Sequence, residues 1–173
     1  LFDPVDGLDD LRQKKVRFIG EASQRIKEDY LRILRFFRFS ARFGHEPYDA
    51  EGLKACKIYA SHLPHLARER VTDEFLKILS LPSPLYALDA MHDTTVLNYI
   101  LHPGTWDDLK ALVTLEKEAH IAPSPLLRLI AFHPAIDEIN ARLRLSKKQE
   151  ALLVFLMKNH TLVSLESFKH QAY

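Results

Sequence analysis

Helix start and stop signals follow one another at short intervals along residues 44–173. The clearest are sites where Ser or Thr precedes a first helical turn: Ser83-Pro84, Thr105-Trp106-Asp107-Asp108, Ser124-Pro125 and Ser146-Lys147-Lys148-Gln149. No stretch of this region shows the sustained alternation of apolar and polar residues that a half-buried strand needs. Only five of the 173 residues are glycine, which is few for a nucleotide-cradling α/β fold. The pattern therefore predicts an all-α helical bundle.

The same signals give approximate helix boundaries. A long helix is predicted from about Ser23 to Phe43, because Gly44 then occupies the usual position after a helix C-terminus. Further helices are predicted at 49–60, 66–79, 83–92, 95–101, 105–119, 124–133, 135–143, 146–159 and 164–171. Residues 1–18 contain Asp-Pro and Asp-Gly turn signals, which predict irregular structure with two short extended pieces.

Length and composition exclude several classes of protein. At 173 residues the chain suits one domain, or two small ones that share a core. Its single cysteine, Cys56, permits no intrachain disulfide, and no apolar run reaches the roughly 18 residues of a membrane span. We therefore expect a cytoplasmic protein without a membrane segment. The chain begins at Leu1 rather than Met, so we expect it to be a piece of something longer.

The net charge of +1 conceals an uneven distribution. Residues 1–43 hold ten Lys and Arg against seven Asp and Glu, whereas residues 44–173 hold fourteen against sixteen. Six of the ten phenylalanines also lie before residue 44. A basic, phenylalanine-rich segment beside the acidic stretch at 3–10 is where we expect an anionic ligand, with a solvated helix face as the alternative.

On a helical wheel, one side of the predicted long helix carries an unusual mixture. Four arginines share it with large apolar residues: Arg32, Arg35, Arg38 and Arg42 with Leu31, Phe36, Phe39 and Phe43. A solvent-washed face rarely holds several phenylalanines, so the arginines are expected to border a cleft or a second packed element. Glu28 and Asp29 can each pair with Arg32 along the helix, but two acids cannot neutralise four arginines. The surplus indicates an external anion such as phosphate, with intrahelical pairing as the alternative.

Four segments resemble motifs of one family. Residues 3–11 (DPVDGLDDL) resemble the D-P-x-x-G-x-x-D-L motif of class II tRNA nucleotidyltransferases and bacterial poly(A) polymerases. Residues 25–39 (RIKEDYLRILRFFRF) resemble the E-D-x-x-R-x-x-R-x-x-R-F motif of the same family. Residues 68–79 (RERVTDEFLKIL) and 143–146 (LRLS) are similar to later segments, and all four occur in the family's order.

The resemblance implies a division of the chain. Residues 1–20 would be a short irregular or β-containing remnant of a catalytic head, residues 21–80 a helical neck that selects the nucleobase, and residues 81–173 a helical body that binds RNA. Gly7 and Asp10 lie in the connecting motif and would brace the head against the neck. The family's head motifs, including the D-x-D pair that holds Mg²⁺, do not occur in this sequence. This polypeptide alone is therefore expected to be inactive, with no catalytic or metal-binding residue of its own.

In this family the residues that match Asp29 and Arg32 are thought to read the incoming base. Cytosine and adenine each present an amino donor beside a ring acceptor, which a carboxylate and a guanidinium can match. Uracil and guanine would place a carbonyl oxygen against the carboxylate, a mismatch that costs about 1–3 kcal/mol when it is buried. Arg35 and Arg38 would hold phosphates or tune the orientation of this template, and Glu28 would brace an arginine.

The resemblance predicts the neck and body of an enzyme that adds the 3′-terminal CCA to tRNA from CTP and ATP. Its partners would be a tRNA or another RNA 3′ end and nucleoside triphosphates. A poly(A) polymerase of the same family and a non-catalytic helical RNA-binding module are the alternatives. The pairs Arg142 with Arg144 and Lys147 with Lys148 are candidates for RNA phosphate contacts, although the acidic balance of the later chain shows no obvious basic stripe.

Other reactive residue types have simpler interpretations. His62 and His65 lack the further ligands that a metal site needs. Cys56 has no obvious activating base and is expected to pack in the core. Trp106, directly after a helix cap, is expected to pack between helices rather than to stack on a base.

Overall fold

The structure is a computed structural model, and it describes residues 7–44, 47–102 and 104–158. In these ranges the chain forms ten α-helices, two 3₁₀ helices and no strand. The α-helices are α1 Gly7–Arg12, α2 Ala22–Glu28, α3 Arg32–Phe43, α4 Ala50–Tyr59, α5 Arg68–Leu79, α6 Leu85–Asp93, α7 Trp106–Glu118, α8 Pro125–Phe132, α9 Ile136–Arg142 and α10 Lys147–Lys158. The 3₁₀ helices are Ala60–His65 and Val96–Tyr99. The all-α prediction is confirmed, whereas the predicted helix at 164–171 and the acidic residues at 3–6 lie outside the described residues.

Two predicted helix starts are formed by the expected side chains. Asp49 accepts a hydrogen bond from the Gly52 backbone N–H at 2.9 Å, which opens α4. At α10 the Ser146 N–H donates to Gln149 Oε1 at 2.8 Å, and the Gln149 N–H donates to Ser146 Oγ at 3.3 Å. This reciprocal pair is the capping box that the sequence predicts.

At three other starts the predicted capping residue does not cap its helix. At α6 the N-cap position is occupied by Pro84 rather than Ser83, and no side chain caps the helix. Ser124 and Thr105 occupy the N-cap positions of α8 and α7, and neither side chain bonds to its helix. The Thr105 hydroxyl instead donates to the Ala131 carbonyl at 3.3 Å. At α7 a tertiary partner has therefore replaced the local one.

The predicted long helix at 23–43 is wrong at one point, because α2 and α3 are separated by a break at residues 29–31. Asp29 has extended backbone, with φ −157° and ψ 107°. Its carboxylate accepts a hydrogen bond from the Leu31 N–H at 3.1 Å, and its carbonyl accepts one from the Arg32 N–H at 3.0 Å. Aspartate side chains compete with helical backbone hydrogen bonds in this way. Because apolar and charged residues continue across the break with little change, the periodicity alone does not reveal it.

A second correction concerns the segment before α2. Residues 7–12 form the short helix α1, where the sequence predicts irregular or extended structure. Residues 15–18 have no regular secondary structure, and the Phe18 ring stacks on Phe36 of α3 with the ring centroids 5.2 Å apart. In the described ranges no strand is present to pair with this segment, so it packs through its side chains instead.

One hydrophobic core joins side chains from α2 to α10. Within it α3 packs against α5 and α6, α5 packs against α8, and α8 contacts α7 and α10. α2 packs on α4. The helix α5 therefore touches both an early and a late part of the chain, and the division near residue 80 stays a prediction. Across the described ranges, none of the helices has the length and apolar character that crossing a membrane requires.

Candidate functional site

The candidate site centres on the break between α2 and α3, where Asp29 is fixed through both carboxylate oxygens. Oδ1 accepts the Leu31 backbone N–H at 3.1 Å, and Oδ2 lies 2.9 Å from Arg70 Nη2. Arg70 belongs to α5 and is 41 residues further along the chain. The Asp29 side chain remains 27% exposed. The carboxylate is therefore held in one orientation and is still reachable from solvent.

Arg32 opens α3 and has a different partner. Its Nη1 lies 2.6 Å from Glu28 Oε2 and also donates to the Arg25 carbonyl at 2.9 Å. A second guanidinium, that of Arg25, also contacts Glu28, with its Nη1 2.7 Å from Glu28 Oε2. The hydrogen bond from Arg32, and then that from Arg25, hold the pKa of Glu28 below its usual value against the opposing effect of burial. The described hydrogen bonds of Arg32 all use Nη1, which leaves its Nε and Nη2 donors for a ligand.

Of the two acids that can pair with Arg32 along a continuous helix, only Glu28 does so among the described contacts. Asp29 lies on extended backbone outside both helices, so the wheel that places it one turn from Arg32 does not apply. The two residues still lie on either side of one short break, since Asp29 directly follows α2 and Arg32 is the first residue of α3.

Arg38 faces a buried acid. Its Nε lies 3.1 Å from Glu74 Oε2, a distance typical of an ion pair although the two atoms lack hydrogen-bond geometry. Glu74 is only 4% exposed, and its Oε1 lies 3.2 Å from Lys77 Nζ. A carboxylate buried this deeply needs a cationic partner. Arg38 is therefore bound to α5, whereas Arg35 is exposed on the surface of α3.

The apolar residues predicted among the arginines divide into two pairs. Leu31 and Phe36 are buried in the core, while Phe39 and Phe43 are 39% and 55% exposed. The exposed rings stack on each other with centroids 6.1 Å apart. The Arg42 guanidinium lies over the Phe43 ring at 5.2 Å. The arginine side of α3 thus borders a packed element at one end and carries an exposed aromatic pair at the other.

Arg70 and Glu74 are the two residues of the site whose roles the sequence analysis missed. Both lie in the 68–79 segment, which forms α5. A usable signal was present for Glu74, because Val71 lies three positions before it and Ile78 four positions after it, and both are apolar. An acid on the apolar face of a helix indicates a buried cationic partner. No comparable sequence signal marks Arg70.

Gly7 and Asp10, predicted to brace a head domain, lie at the start and in the middle of α1. Asp10 binds Arg17 through both oxygens, with Nε 3.0 Å from Oδ1 and 2.8 Å from Oδ2. The Asp10 carbonyl also accepts the Lys15 N–H at 2.8 Å. These contacts fix the turn that follows α1, and a contact with a head domain stays a prediction.

The remaining reactive residue types are structural. Cys56 is buried, and its burial raises the pKa of the thiol far above the ordinary value, so it is a poor nucleophile. The His62 ring stacks on Tyr30 with centroids 4.3 Å apart. The Trp106 ring packs edge-on against Phe132 at 5.2 Å, as predicted for an interhelical contact. Within the described part of the chain, no group of three or more His, Cys, Asp or Glu side chains is arranged to hold a metal ion.

Comparison with known sequences shows the relatives of the chain. Residues 49–109 match a family model described as "Probable RNA and SrmB- binding site of polymerase A". The chain is 36% identical over 165 residues to the human mitochondrial CCA tRNA nucleotidyltransferase 1, a match that covers 92% of this chain and 38% of the relative. It is 33% identical over 150 residues to the CCA-adding enzyme of Bordetella pertussis, covering 83% of this chain and 40% of the relative. The chain belongs to the CCA-adding enzyme family.

Solved structures of CCA-adding enzymes share this fold. A complex of a CCA-adding enzyme with ATP matches with a TM-score of 0.66 at 19% identity, covering 99% of this chain and 44% of that one. The Thermotoga maritima CCA-adding enzyme complexed with tRNA-CCA matches with a TM-score of 0.68 at 19% identity, covering 98% and 44%. The chain thus spans less than half the length of these CCA-adding enzymes, and it corresponds to their neck and body region. Since the human relative is mitochondrial by name, a cytoplasmic location stays a prediction.

Proposed function

We propose that this chain is the neck and body of an enzyme that adds the 3′-terminal CCA to tRNA from CTP and ATP, in which Asp29 and Arg32 read the incoming base. The relatives support the reaction, since they are CCA-adding enzymes. The observation that carries the assignment of residues is the helix break. Asp29 and Arg32 flank it on either side, and each is oriented by a separate side chain, Arg70 or Glu28.

Both residues keep hydrogen-bonding capacity for a base. A carboxylate has about four acceptor sites, and the described hydrogen bonds of Asp29 occupy one on each oxygen. Asp29 can therefore accept the exocyclic amino group of cytosine or adenine. The free Nε and Nη2 donors of Arg32 can then reach the neighbouring ring acceptor. Preorganisation by Arg70 and Glu28 means that little conformational entropy is lost when the base binds.

Arg35 and Arg38 have unequal roles in this proposal. Arg35, which is exposed, is the better candidate to hold a nucleotide phosphate. Arg38 is half-buried against Glu74 and tunes the position of α3 relative to α5. The Mg²⁺ ions of the reaction are assigned to the head motifs, which this sequence does not contain, and the neck residues bind and orient the base.

The test is made in the protein that joins this chain to a catalytic head. Asp29→Asn keeps the size of the side chain and replaces one acceptor oxygen by an N–H donor, which matches the O4 carbonyl of uracil. We expect the preference for CTP over UTP, measured as the ratio of kcat/KM values, to fall by about 10- to 100-fold. Asp29→Ala should also lower this ratio, because it removes the acceptor for the amino group of cytosine, but it provides no donor for the O4 carbonyl of uracil.

Asp73→Ala is the matched control, because it removes an exposed aspartate from α5. Its selectivity should equal that of the unmodified protein. If Asp29→Asn and Asp29→Ala both fold and both select CTP and ATP as before, the base-reading role of Asp29 is wrong.

A poly(A) polymerase of the same family is the second candidate, because the matching family model is named for polymerase A. Separate incubations of the head-containing protein with CTP alone and with ATP alone, each with a tRNA that lacks its CCA, separate the two. Incorporation of C supports the CCA-adding reaction. Incorporation of A but never C supports the polymerase, and incorporation of neither with intact tRNA binding supports a non-catalytic RNA-binding module.

A further inference from the structure

Three rings meet beside the break at residues 29–31. We call them the aromatic cluster, and they are Tyr30, Tyr59 and His62. The Tyr30 ring stacks on His62 with the centroids 4.3 Å apart and the ring planes 14° apart. The centroid of Tyr59 lies 6.4 Å from that of Tyr30 and 6.0 Å from that of His62, and its ring is tilted against both. The break is therefore joined to the end of α4 and to the 3₁₀ helix Ala60–His65.

Tyr30 belongs to the turn that carries the base-reading residues. The Asp29 carbonyl accepts the Arg32 N–H at 3.0 Å, so Tyr30 and Leu31 are the two central residues of this turn. One backbone bond across four residues does not fix how a turn is oriented, so the packing of its central side chains matters. Leu31 is 5% exposed and lies in the core, and Tyr30 packs on His62. Both central side chains are therefore anchored.

His62 stands on a rigid support and supplies a ring rather than a hydrogen bond. Ala60 and Leu63, on either side of it, are 0% and 1% exposed, and Pro64 fixes one backbone angle of the same 3₁₀ helix. The Nδ1 atom of His62 is buried and has no hydrogen-bond partner in the described ranges. The contacts described for His62 are made by its ring. The position therefore requires a flat ring more than it requires an imidazole.

Asp29 needs support of this kind because its ion pair is exposed. Arg70, which lies 2.9 Å from Asp29 Oδ2, is 50% exposed, and water competes with such pairs. Asp29 Oδ1 accepts its hydrogen bond from the Leu31 N–H, which is part of the turn itself. A shift of the turn would therefore move the carboxylate and its backbone donor together, and the stack of Tyr30 on His62 opposes that shift.

We infer that His62 is a positioning residue for base selection, because its stack on Tyr30 holds the turn at residues 29–32 and thereby directs the Asp29 carboxylate at the incoming base. The inference rests on the proposed function and deepens it. His62 does not touch the nucleotide in this assignment, and it acts through Tyr30 and the backbone of the turn.

The experiment uses the protein that joins this chain to a catalytic head and a tRNA that lacks its CCA. The quantity measured is the ratio of kcat/KM values for CTP and UTP. His62→Ala removes the ring that supports Tyr30, and we expect the ratio to fall by about 2- to 10-fold, the range that one aromatic pair can supply. His62→Phe keeps a ring and should restore the ratio. Tyr30→Leu removes the stack from the other side and should lower the ratio by a similar factor.

A double-mutant cycle shows whether His62 acts through Asp29. A protein that carries Asp29→Ala has no carboxylate left to position, so adding His62→Ala should leave its already lowered ratio unchanged. A residue that only stabilises the fold would reduce the activity with CTP and with UTP alike, in both backgrounds, and would not change the ratio in either.

His92→Ala is the matched control. His92 is an exposed histidine of α6 whose ring meets that of Trp106 at 5.9 Å, so this variant also loses a ring contact, but one made with α7. Its ratio should equal that of the unmodified protein. Circular dichroism shows which variants are folded, and Tyr30→Leu provides the test if His62→Ala does not fold.

The outcomes distinguish this inference from the proposed function. If Asp29→Ala lowers the ratio while folded His62→Ala or folded Tyr30→Leu leaves it unchanged, the inference is overturned and the proposed function stands. A fall caused by His62→Ala that is equally large in the Asp29→Ala background also overturns the inference. If Asp29→Ala itself leaves the ratio unchanged, the base-reading role in the proposed function fails.

Discussion

Asp29 and Glu74 are both acids with an arginine partner, yet the two ion pairs have different consequences. The Asp29–Arg70 pair is 27% and 50% exposed, so it contributes at most about 1 kcal/mol and mainly orients the carboxylate. Glu74 is 4% exposed, and removing Arg38 would leave this buried carboxylate with the half-exposed Lys77 as its remaining described cationic partner. Burial therefore makes Glu74 a structural residue and leaves Asp29 available for a ligand.

Glu138 is the residue for which the structure predicts a pH effect. Burial alone would raise its pKa, but hydrogen bonds from the His102 side chain and backbone, with the nearby His133, hold the pKa below the ordinary value of 4.5. A carboxyl whose folded-state pKa is lowered contributes stability above its unfolded pKa, and this contribution is lost as the pH falls through the folded pKa. We expect Glu138→Gln to lower the Tm at neutral pH, with a gap to the unmodified protein that closes below about pH 4.5.

Thermal unfolding of both proteins across that pH range measures the gap. Glu118→Gln, which changes an exposed glutamate of α7, is the control and should show no gap at any pH. A gap for Glu138→Gln that stays constant into the acid range would contradict the prediction.

At the scale of elements, a buried ion pair connects the helices that surround α8. Arg128 of α8 is 1% exposed, and its Nε lies 2.6 Å from Glu116 Oε2 of α7. Its Nη1 donates to the carbonyls of Leu79 and Leu81 at 2.6 and 2.5 Å, which satisfies the C-terminal end of α5. One guanidinium therefore joins three helices, and it satisfies the Leu79 carbonyl, which α5 cannot bond internally, as well as the Leu81 carbonyl just beyond the helix.

Replacement of this arginine should be among the most destabilising changes in the protein. Arg128→Met leaves Glu116 buried without its partner and leaves two carbonyl groups unsatisfied, so we expect a loss of about 3–5 kcal/mol in the free energy of unfolding. Adding Glu116→Gln should recover part of this loss, because it removes the uncompensated charge. Urea unfolding measures this free energy for the unmodified protein, for Arg128→Met and for the double variant.

Arg35→Met provides the comparison, since Arg35 is an exposed arginine on α3. It should change the free energy of unfolding by no more than about 0.5 kcal/mol. Equal effects of Arg35→Met and Arg128→Met would show that the buried ion pair does not join the helices as described.

At the scale of the whole molecule, the break at residues 29–31 and the late helices α8 to α10 are built on one core. The core extends from Ile26 in α2 to Leu153 in α10, and α5 contacts both α3 and α8 within it. A shared core is expected to hold the break and the late helices at a fixed separation, because packed interiors deform little.

The isolated chain should show binding without chemistry. With Mg²⁺, CTP and ATP present, we expect it to bind a tRNA that lacks its CCA and to add no nucleotide, because the head motifs of the family do not occur in its sequence. Extension of end-labelled tRNA on a sequencing gel measures this. The head-containing protein is the positive control, and any extension by the isolated chain would refute the assignment of the chemistry to the head.

The sequence by itself determined the helical architecture and most of its boundaries. The signals for α4 to α10 are local, and the capping box at Ser146 and Gln149 forms as expected because both partners lie within one turn. The burial of Cys56 and the packing of Trp106 also follow from residue type. Such features depend on neighbours along the chain, so they can be predicted without the fold.

Only the tertiary structure decided what the charged residues do. The break at Asp29 forms because its side chain competes with the helical backbone for hydrogen bonds. The partner that stabilises this side chain, Arg70, lies 41 residues away. The partner of Arg38 likewise depends on how α5 packs against α3. A charge finds its partner through space, and helix packing places residues together that no periodicity of the sequence connects.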